Sequence, residues 1–508
     1  MSDYWPHNLP MSPDYPEKTL YGTLQEICRT HGERTALIFG EDSLRYRELK
    51  EFADRFAVLA SEHLRTGDRM VILMRNCPQF VFTLYGALKA GALVVPVSHL
   101  MKKDEIENII NDCDPGLVVC ERSSQHLVSG REMYTTDPLD FLERDREDLM
   151  GVLSGMDPLE VEDREGKNGL LMYTSGTTDR PKGVVLTHRN VIVNGVGGGL
   201  WTRKDDRDVS LCALPLSHIL GLVEGLFGSI VTGSTMVVLP QFSSEAALRS
   251  IENHGCTIMT GVPPMFKAIA KNAKGYDLSS LRVCFSGGAP LDERDAEEFS
   301  RATGCPLIEG YGLTESTAQL TINPVERPKK GSAGIPIFDV HTKVISLESG
   351  RELGRNEEGE LCFRGPQVMD EYWRDPERTK KTLSGGWLHT GDTGYMDKEG
   401  YIFITGRVDD IINISGYKVN PEEVERVIMK NRAIKECSVV GVKDFYGKER
   451  VKAFVVLKED MGMDEKSIKM ACREKLADYK CPHIFEFSDS LPKSAGGKVL
   501  RRSLRGEP

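Results

Sequence analysis

Short β-branched and aliphatic runs alternate with helical patterns from the N-terminus onward, and this alternation restricts the fold more than any other feature of the chain. "TALIFG", "RMVILM", "ALVVPV" and "GLVVCE" are separated by "YRELKEFADRFAVLASEHL", "FVFTLYGALKAG" and "DEIENIINDC". Apolar runs this short read as strands buried on both faces, and a helix between each pair makes the connection a parallel crossover, so the pattern predicts α/β architecture. The same grammar resumes after residue 169. From about 330 to 406 it gives way to short strands punctuated by glycine, as in "GELCFRG" and "GYIFITG", which predicts a small β-rich subdomain. "GRVDD" (406–410) then precedes "IINISGYKVNPEEVERVIMK", whose Asn-Pro-Glu-Glu is a helix start. The expected division is therefore 1–408 for a large domain and 409–508 for a small α+β domain, with the boundary at Val408–Asp409.

Composition narrows the functional classes. A chain of 508 residues with 40% hydrophobic and 28% charged residues is a multidomain globular protein, and a formal charge of −11 gives no electrostatic reason to expect nucleic acid. The start "MSDYWPHNLPMSPDYPEK" has no positive stretch followed by an apolar run, so no signal peptide is expected. The longest apolar stretch, "GLVEGLFGSIVTGSTMVVLP" (221–240), carries Glu224 and a Gly/Ser/Thr turn, which predicts a buried helix and a strand rather than a membrane span. Twelve cysteines occur with no CxxC pair, several of them in strand-like runs (Cys212, Cys284, Cys362). They read as reduced core thiols of a cytoplasmic protein.

"YTSGTTDRPKGVVLTH" (173–188) puts hydroxyls, glycines and one lysine behind an apolar strand. A Walker A loop would end in Gly-Lys-Ser/Thr, whereas this one ends in Pro181-Lys182-Gly183. Thr174, Ser175, Thr177 and Thr178 nevertheless offer donors, Gly176 frees backbone N–H groups and Lys182 adds a cation, a set that suits a polyphosphate. Alone, the stretch is equally a Ser/Thr surface turn. Downstream, in order, come "SGGAPL" (286–291), "EGYGLTES" (309–316), "WLHTGD" (387–392), "GRVDD", "SGYKVNP" (415–421) and "LPKSAGGKVLRR" (491–502).

With these motifs the whole chain resembles the adenylate-forming superfamily of acyl-CoA synthetases, luciferases and adenylation domains, nearest in style to fatty-acyl-CoA and 4-coumarate-like CoA ligases. The resemblance implies a large N-terminal domain of two sheet-and-helix lobes plus a small β-barrel, and a small mobile C-terminal lid. It implies ATP and coenzyme A as substrates with Mg²⁺, a carboxylic acid that forms acyl-AMP and then acyl-CoA, and a homodimer as an assembly to expect.

Carried over by residue, Thr174–Lys182 resembles the clamp on the β- and γ-phosphates, and Thr177 and Glu315 are implied at Mg²⁺. Gly288, Ala289 and Pro290 resemble the adenine shelf and Tyr311 the ring stacked on the base, with Glu309, Gly310, Gly312 and Thr314 of the same motif at the nucleotide. Asp392 and Arg407 are implied at the ribose, and Lys498 at the α-phosphate and attacking carboxylate, where charge builds up. Lys418 matches a position near phosphate or the acyl-adenylate carbonyl, His218 one beside the carboxylate site. Asp409 matches the hinge, and Ser415, Gly416 and Tyr417 the CoA-facing strand. Leu222, Val262, Pro263 and Gly310 are implied in the acyl pocket.

Two positions depart from relatives. Asp179 stands where glycine is usual, bringing a negative charge to a triphosphate loop, and Leu222 stands where some long-chain enzymes carry a tryptophan gate. The expected substrate is a medium- or long-chain fatty acid. An aryl or cyclic acid, an acyl-AMP ligase that loads a carrier protein, and a catalytically silent nucleotide-binding relative are the alternatives.

Overall fold

The computed structural model describes residues 5–6, 9–128, 130–139, 148–156, 162–164, 166–174, 182–414, 417–444, 449–459, 461–462, 464–493 and 499–505, with the side chains of 417, 418 and 502 left aside. The chain divides into two compact units. One comprises Met1–Thr342, Phe363–Leu388 and Glu399–Tyr401, and the other Lys343–Cys362, His389–Lys398 and Ile402–Pro508. The β-rich strands thus fall with the C-terminal segment. No helix among the described residues is long and apolar enough to cross a membrane.

The first unit holds two mixed sheets. In the nine-stranded one, Val209–Cys212 lies between Thr235–Val238 and Ile258–Gly261, with Val283–Ser286 and Leu307–Tyr311 continuing beyond Ile258–Gly261, all parallel. Helices Ser244–His254, Pro263–Asn272 and Glu293–Thr303 bury Leu248, Ile251, Phe266, Ile269 and Phe299 against it. In the seven-stranded sheet, Arg69–Leu73, Leu93–Val97, Leu117–Glu121 and Asn168–Thr174 run parallel, and Lys182–Thr187 returns antiparallel to Asn168–Thr174. The apolar runs read from the sequence are these strands, covered because a parallel sheet exposes neither face. The 221–240 stretch forms a π-helical segment Gly221–Phe227, a short helix Gly228–Thr232 and the strand Thr235–Val238.

In the second unit, strands His341–Ile345, Gly359–Arg364, Leu388–Met396 and Ile402–Arg407 form a four-stranded sheet. The resemblance implied a small barrel in this region, where the described strands lie in the order His341–Ile345, Gly359–Arg364, Leu388–Met396, Ile402–Arg407. A hairpin Ile412–Ile414/Tyr417–Val419 follows, then a three-stranded sheet of Ile434–Lys443, Glu449–Leu457 and Ile484–Phe487. Helices Pro421–Ile428 and Glu465–Arg473 pack Val424, Ile428, Ile468 and Cys472 on that sheet, an α+β arrangement.

One helix of the first unit organises its loops. His188–Thr202 starts on Thr187, whose hydroxyl accepts the Asn190 N–H at 3.0 Å while Asn190 Oδ1 accepts the Thr187 N–H at 2.9 Å. The Asn190 amide donates to the carbonyls of Pro366 and Val368 (2.7 and 2.9 Å), and one turn later the buried Asn194 amide donates to those of Ser316 and Gln319 (3.2 and 3.1 Å). A polar side chain in this apolar helix is thus used to hold two loops that have no sheet partner. We expect Asn194→Leu, which strands both carbonyls in the interior, to cost about 2–3 kcal/mol of stability. Denaturant unfolding would measure it, and a loss of a few tenths would mean that the loops hold themselves.

Candidate active site

The strand Asn168–Thr174 and its partner Lys182–Thr187 form the stem of the hydroxyl-rich hairpin. Thr174 is directly opposite Lys182 in the register, so a hydroxyl and a cation flank its mouth. The stem is rigid: Leu170, Leu171, Val184 and Val185 are fully buried, and the Tyr173 hydroxyl donates to Asp112 at 2.5 Å. Ser175, Gly176, Thr177, Thr178 and the departing Asp179 lie outside the described residues.

Glu315 is presented by a strained turn. The strand Leu307–Tyr311 ends at Gly312, where any Cβ would stand 1.7 Å from the Ala318 carbonyl oxygen, and a 3₁₀ turn Thr314–Ser316 follows. Thr317 and Ala318 then take φ of +55° and +90°, a region that L-residues avoid unless their surroundings impose it. Those surroundings come from residues 367–372. The Thr317 hydroxyl donates to the Gln367 carbonyl (2.8 Å), the Met369 N–H to the Glu315 carbonyl (2.8 Å) and the Tyr372 hydroxyl to Glu315 Oε1 (2.7 Å). Burial first, and then the Glu315 charge, hold the Tyr372 phenol above its ordinary pKa, so it stays a donor. Tyr372 also pairs with Val184, and the Trp373 N–H donates to the Gly183 carbonyl at 2.8 Å. The carboxylate and the Thr174–Lys182 stem are therefore mounted on one frame.

The other expected nucleotide residues of this unit gather on the ends of adjacent parallel strands. Gly288, at φ +78°, turns the chain after Val283–Ser286, leaving Ala289 and Pro290 exposed. Tyr311 is half-buried beside Phe363, ring centroids 6.0 Å apart. Glu309 accepts the Leu291 N–H at 3.2 Å, and burial pushes its carboxyl up to about 7. Gly310 is buried and Thr314 half-buried. His218 reaches the surface from the turn before the π-helical segment. Its Nδ1 accepts the Leu220 N–H at 3.3 Å, and desolvation lowers its pKa. Leu222 and Pro263 are buried, and Val262 half-buried.

In the second unit Asp392 and Arg407 are cross-strand partners, with Arg407 Nε 2.9 Å from Asp392 Oδ1 and the Asp392 side chain 10% exposed. A preceding cluster sets the turn that carries Asp392: Glu360 accepts the Gly391 N–H at 3.1 Å and lies 3.0 Å from His389 Nδ1, which is 3.5 Å from Cys362 Sγ. Burial pushes the Cys362 thiol up to about 12, so it is a neutral neighbour. Asp409 is exposed in the 3₁₀ turn Val408–Asp410. Ser415, Gly416 and Lys498 fall outside the described residues, and Tyr417 and Lys418 are described only as backbone paired with Ile414 and Asn413.

The described residues on either side of 494–498 pair with each other. Lys493 bridges Val499, and the Leu500 N–H donates to the Pro492 carbonyl at 2.9 Å. The arginines beyond are no solvated tail. Arg501 contacts Asp410 and Glu425 at 2.7 and 2.8 Å, and Arg505 contacts Asp410 at 2.7 Å.

The AMP-binding enzyme family matches residues 24–373 and its C-terminal domain matches 423–498. The chain belongs to the AMP-binding enzyme family. It is 34% identical to a long-chain-fatty-acid–CoA ligase of Bacillus subtilis, covering 99% of this chain and 96% of that one. It is also 34% identical to 4-coumarate–CoA ligase 3 of Oryza sativa, covering 95% and 92%. Among solved structures, ATP-bound MatB from Rhodopseudomonas palustris superposes with a TM-score of 0.87 at 29% identity, covering 96% and 98%. Asn190, Asn194 and Tyr372 escaped the sequence reading. The asparagines carried a signal, an amide inside the apolar run "NVIVNGV"; Tyr372 carried none.

Glu309 generates a pH prediction. Its native pKa of about 7 lies above the ordinary 4.5, so between those values the folded state holds a proton that the unfolded chain has released. The stabilisation is complete below about 4.5 and is lost as pH rises through about 7. We expect Glu309→Gln to remove that loss, gaining on the order of 2 kcal/mol relative to the parent at pH near 8 and little at pH near 5. Melting curves at the two pH values measure it; an equal effect at both would show that Glu309 ionises normally.

Proposed function

We propose that the chain is an ATP-dependent, AMP-forming acid–CoA ligase. In the first half-reaction a carboxylate oxygen attacks the α-phosphorus of ATP, the bond to the β-phosphate oxygen breaks, and pyrophosphate leaves with that electron pair. In the second, the sulfur of CoA attacks the acyl carbon, the bond to the phosphate oxygen breaks, and AMP leaves. One observation carries the reading: the strained turn bearing Glu315 and the stem bearing Thr174 and Lys182 are braced by the same segment through Tyr372 and Trp373. A preorganised carboxylate and a cation held in fixed relation suit a triphosphate, whose transfer depends mainly on positioning and charge.

Glu315 offers the hard oxygen that Mg²⁺ prefers, with the Thr177 hydroxyl as its implied companion; when bound, the ion neutralises phosphate charge. Tyr311 and Gly288–Pro290 would receive the adenine, and the Asp392–Arg407 pair the ribose hydroxyls, since a buried carboxylate steered by a guanidinium accepts two hydroxyl donors well. The long-chain-fatty-acid and 4-coumarate relatives support an acid with an apolar body. All twelve cysteines are free, ten of them buried and two (Cys28 and Cys437) half-buried, which supports a reducing compartment such as the cytoplasm.

The two half-reactions need different groups at the same centre, which supports a lid, 409–508, that turns about Asp409. Lys498 would serve adenylation and the "SGYK" strand thioester formation. Lys498→Ala should then slow ATP–pyrophosphate exchange by about 10²–10³ while thioester formation from supplied acyl-AMP proceeds almost normally. Equal losses in both assays would remove Lys498 from this role. Asp409→Pro, which freezes φ near −65° and restricts Val408, should let exchange continue while acyl-CoA production falls at least about tenfold. Acyl-CoA formed at the parental rate would rule out the hinge.

A further inference from the structure

The neighbouring strands Gly359–Arg364 and Leu388–Met396 bring three metal-ligating side chains together. Glu360 and Cys362 are two residues apart on one strand, so the pleat sends both to the same face. His389, on the other strand, meets them there: its Nδ1 lies 3.0 Å from Glu360 Oε2 and 3.5 Å from Cys362 Sγ. One ligand atom of each stands within 4.8 Å of the other two, and no other group of His, Cys, Asp or Glu among the described residues is placed in this way.

Hydrogen bonding alone serves this cluster poorly. A proton on His389 Nδ1 can be donated to the Glu360 carboxylate, but the same nitrogen then has no lone pair for the thiol beside it. The Glu360 carbonyl, 4.0 Å from Cys362 Sγ, is a distant acceptor. One cation at the centre would satisfy all three atoms. The spacing is also that of ligands sharing an ion. With a Zn–S bond of about 2.3 Å and Zn–N and Zn–O bonds of about 2.0–2.1 Å, tetrahedral geometry puts sulfur and nitrogen about 3.5 Å apart and nitrogen and oxygen about 3.3 Å apart. The first distance matches, and the second asks Glu360 and His389 only to part slightly.

The three ligands are held in place and can be reached. Glu360 Oε1 accepts the Gly391 N–H at 3.1 Å, which orients the carboxylate and leaves Oε2 for the centre. The Thr390 hydroxyl donates to the Leu361 carbonyl at 2.7 Å and ties the two strands beside the cluster. Cys362 is fully buried, whereas the Glu360 and His389 side chains are 18% and 27% exposed, so an ion can enter from their side. Burial and the Glu360 charge keep the free thiol protonated against the pull of Lys343, but a coordinating metal expels that proton.

We propose that Glu360, Cys362 and His389 form a binding site for a transition ion of the Zn²⁺ class, with three protein ligands and a fourth position left to water. Sulfur and imidazole nitrogen select against Mg²⁺, which prefers oxygen ligands, so the site differs in chemistry from the magnesium position implied at Glu315. Binding forms bonds from the metal to Sγ, Nδ1 and Oε2; the thiol proton passes to solvent, and the imidazole binds neutral with its proton on Nε2. Because Glu360 also holds the Gly391 N–H, the ion would tie the turn that carries Asp392 to the strand Gly359–Arg364.

The test is a Co²⁺ titration of the full chain, stripped of metal beforehand and followed by absorbance. The parent should develop a near-ultraviolet thiolate-to-cobalt band and the visible bands of a four-coordinate ion, saturating at a single equivalent, displaced by Zn²⁺ and untouched by a large excess of Mg²⁺. Cys362→Ser should abolish the thiolate band, and His389→Gln and Glu360→Gln should each weaken Co²⁺ binding by at least about tenfold. Replacing Cys28 and Cys437, the two half-buried thiols, by serine should leave the spectrum unchanged. Absence of a thiolate band at any Co²⁺ concentration, a band that survives Cys362→Ser or disappears with Cys28 and Cys437, or displacement by Mg²⁺ would overturn the proposal. Should Cys362→Ser not fold, His389→Gln and the Cys28/Cys437 variant decide alone. Either result leaves the ligase reading as it stands.

Discussion

Two amides on one helix face hold the first unit's working loops in place. Asn190 and Asn194 sit on His188–Thr202, which grows directly out of the hairpin strand Lys182–Thr187, and they bind the carbonyls of 366 and 368 and of 316 and 319. Both loops carry backbone polar groups that must be satisfied in the interior. Through these four bonds the helix fixes the Glu315 turn and the bracing segment together. The positive φ of Thr317 and Ala318 persists because the frame over-determines it.

Burial decides the charge states around that frame. Glu309 and Glu224 are acidic residues in places where water cannot reach them well, and both are pushed towards the neutral form. Asp392 is buried too, but it is paired with Arg407 across two strands. The contrast separates roles: a paired carboxylate suits recognition of polar hydroxyls, whereas a carboxyl held neutral by burial does not. In the C-terminal segment, Arg501 and Arg505 converge on Asp410, the residue after the hinge position, so the chain beyond Lys498 is tied back to the point about which the lid is proposed to turn.

The strands and their helical covers were legible because a parallel strand buried on both faces must be apolar throughout, which leaves "RMVILM" or "GLVVCE" little freedom. The motifs were legible for a different reason. Glycine at 312 is demanded by a backbone approach that admits no side chain, and such demands leave a trace in the sequence whatever the surroundings. The Arg501 network was not legible, because a run of basic residues looks the same whether it is solvated or paired.

By itself, then, the sequence determined the α/β architecture, the order of the nucleotide motifs and the chemistry of the residues within them, since periodicity and steric demand are local properties. Only the tertiary structure decided that Tyr372 braces Glu315 and that Asn194 serves a loop more than a hundred residues away. Those outcomes depend on which distant groups meet and on how much water is left between them. Hydrogen bonds and ionisation respond to that environment, and no local pattern encodes it.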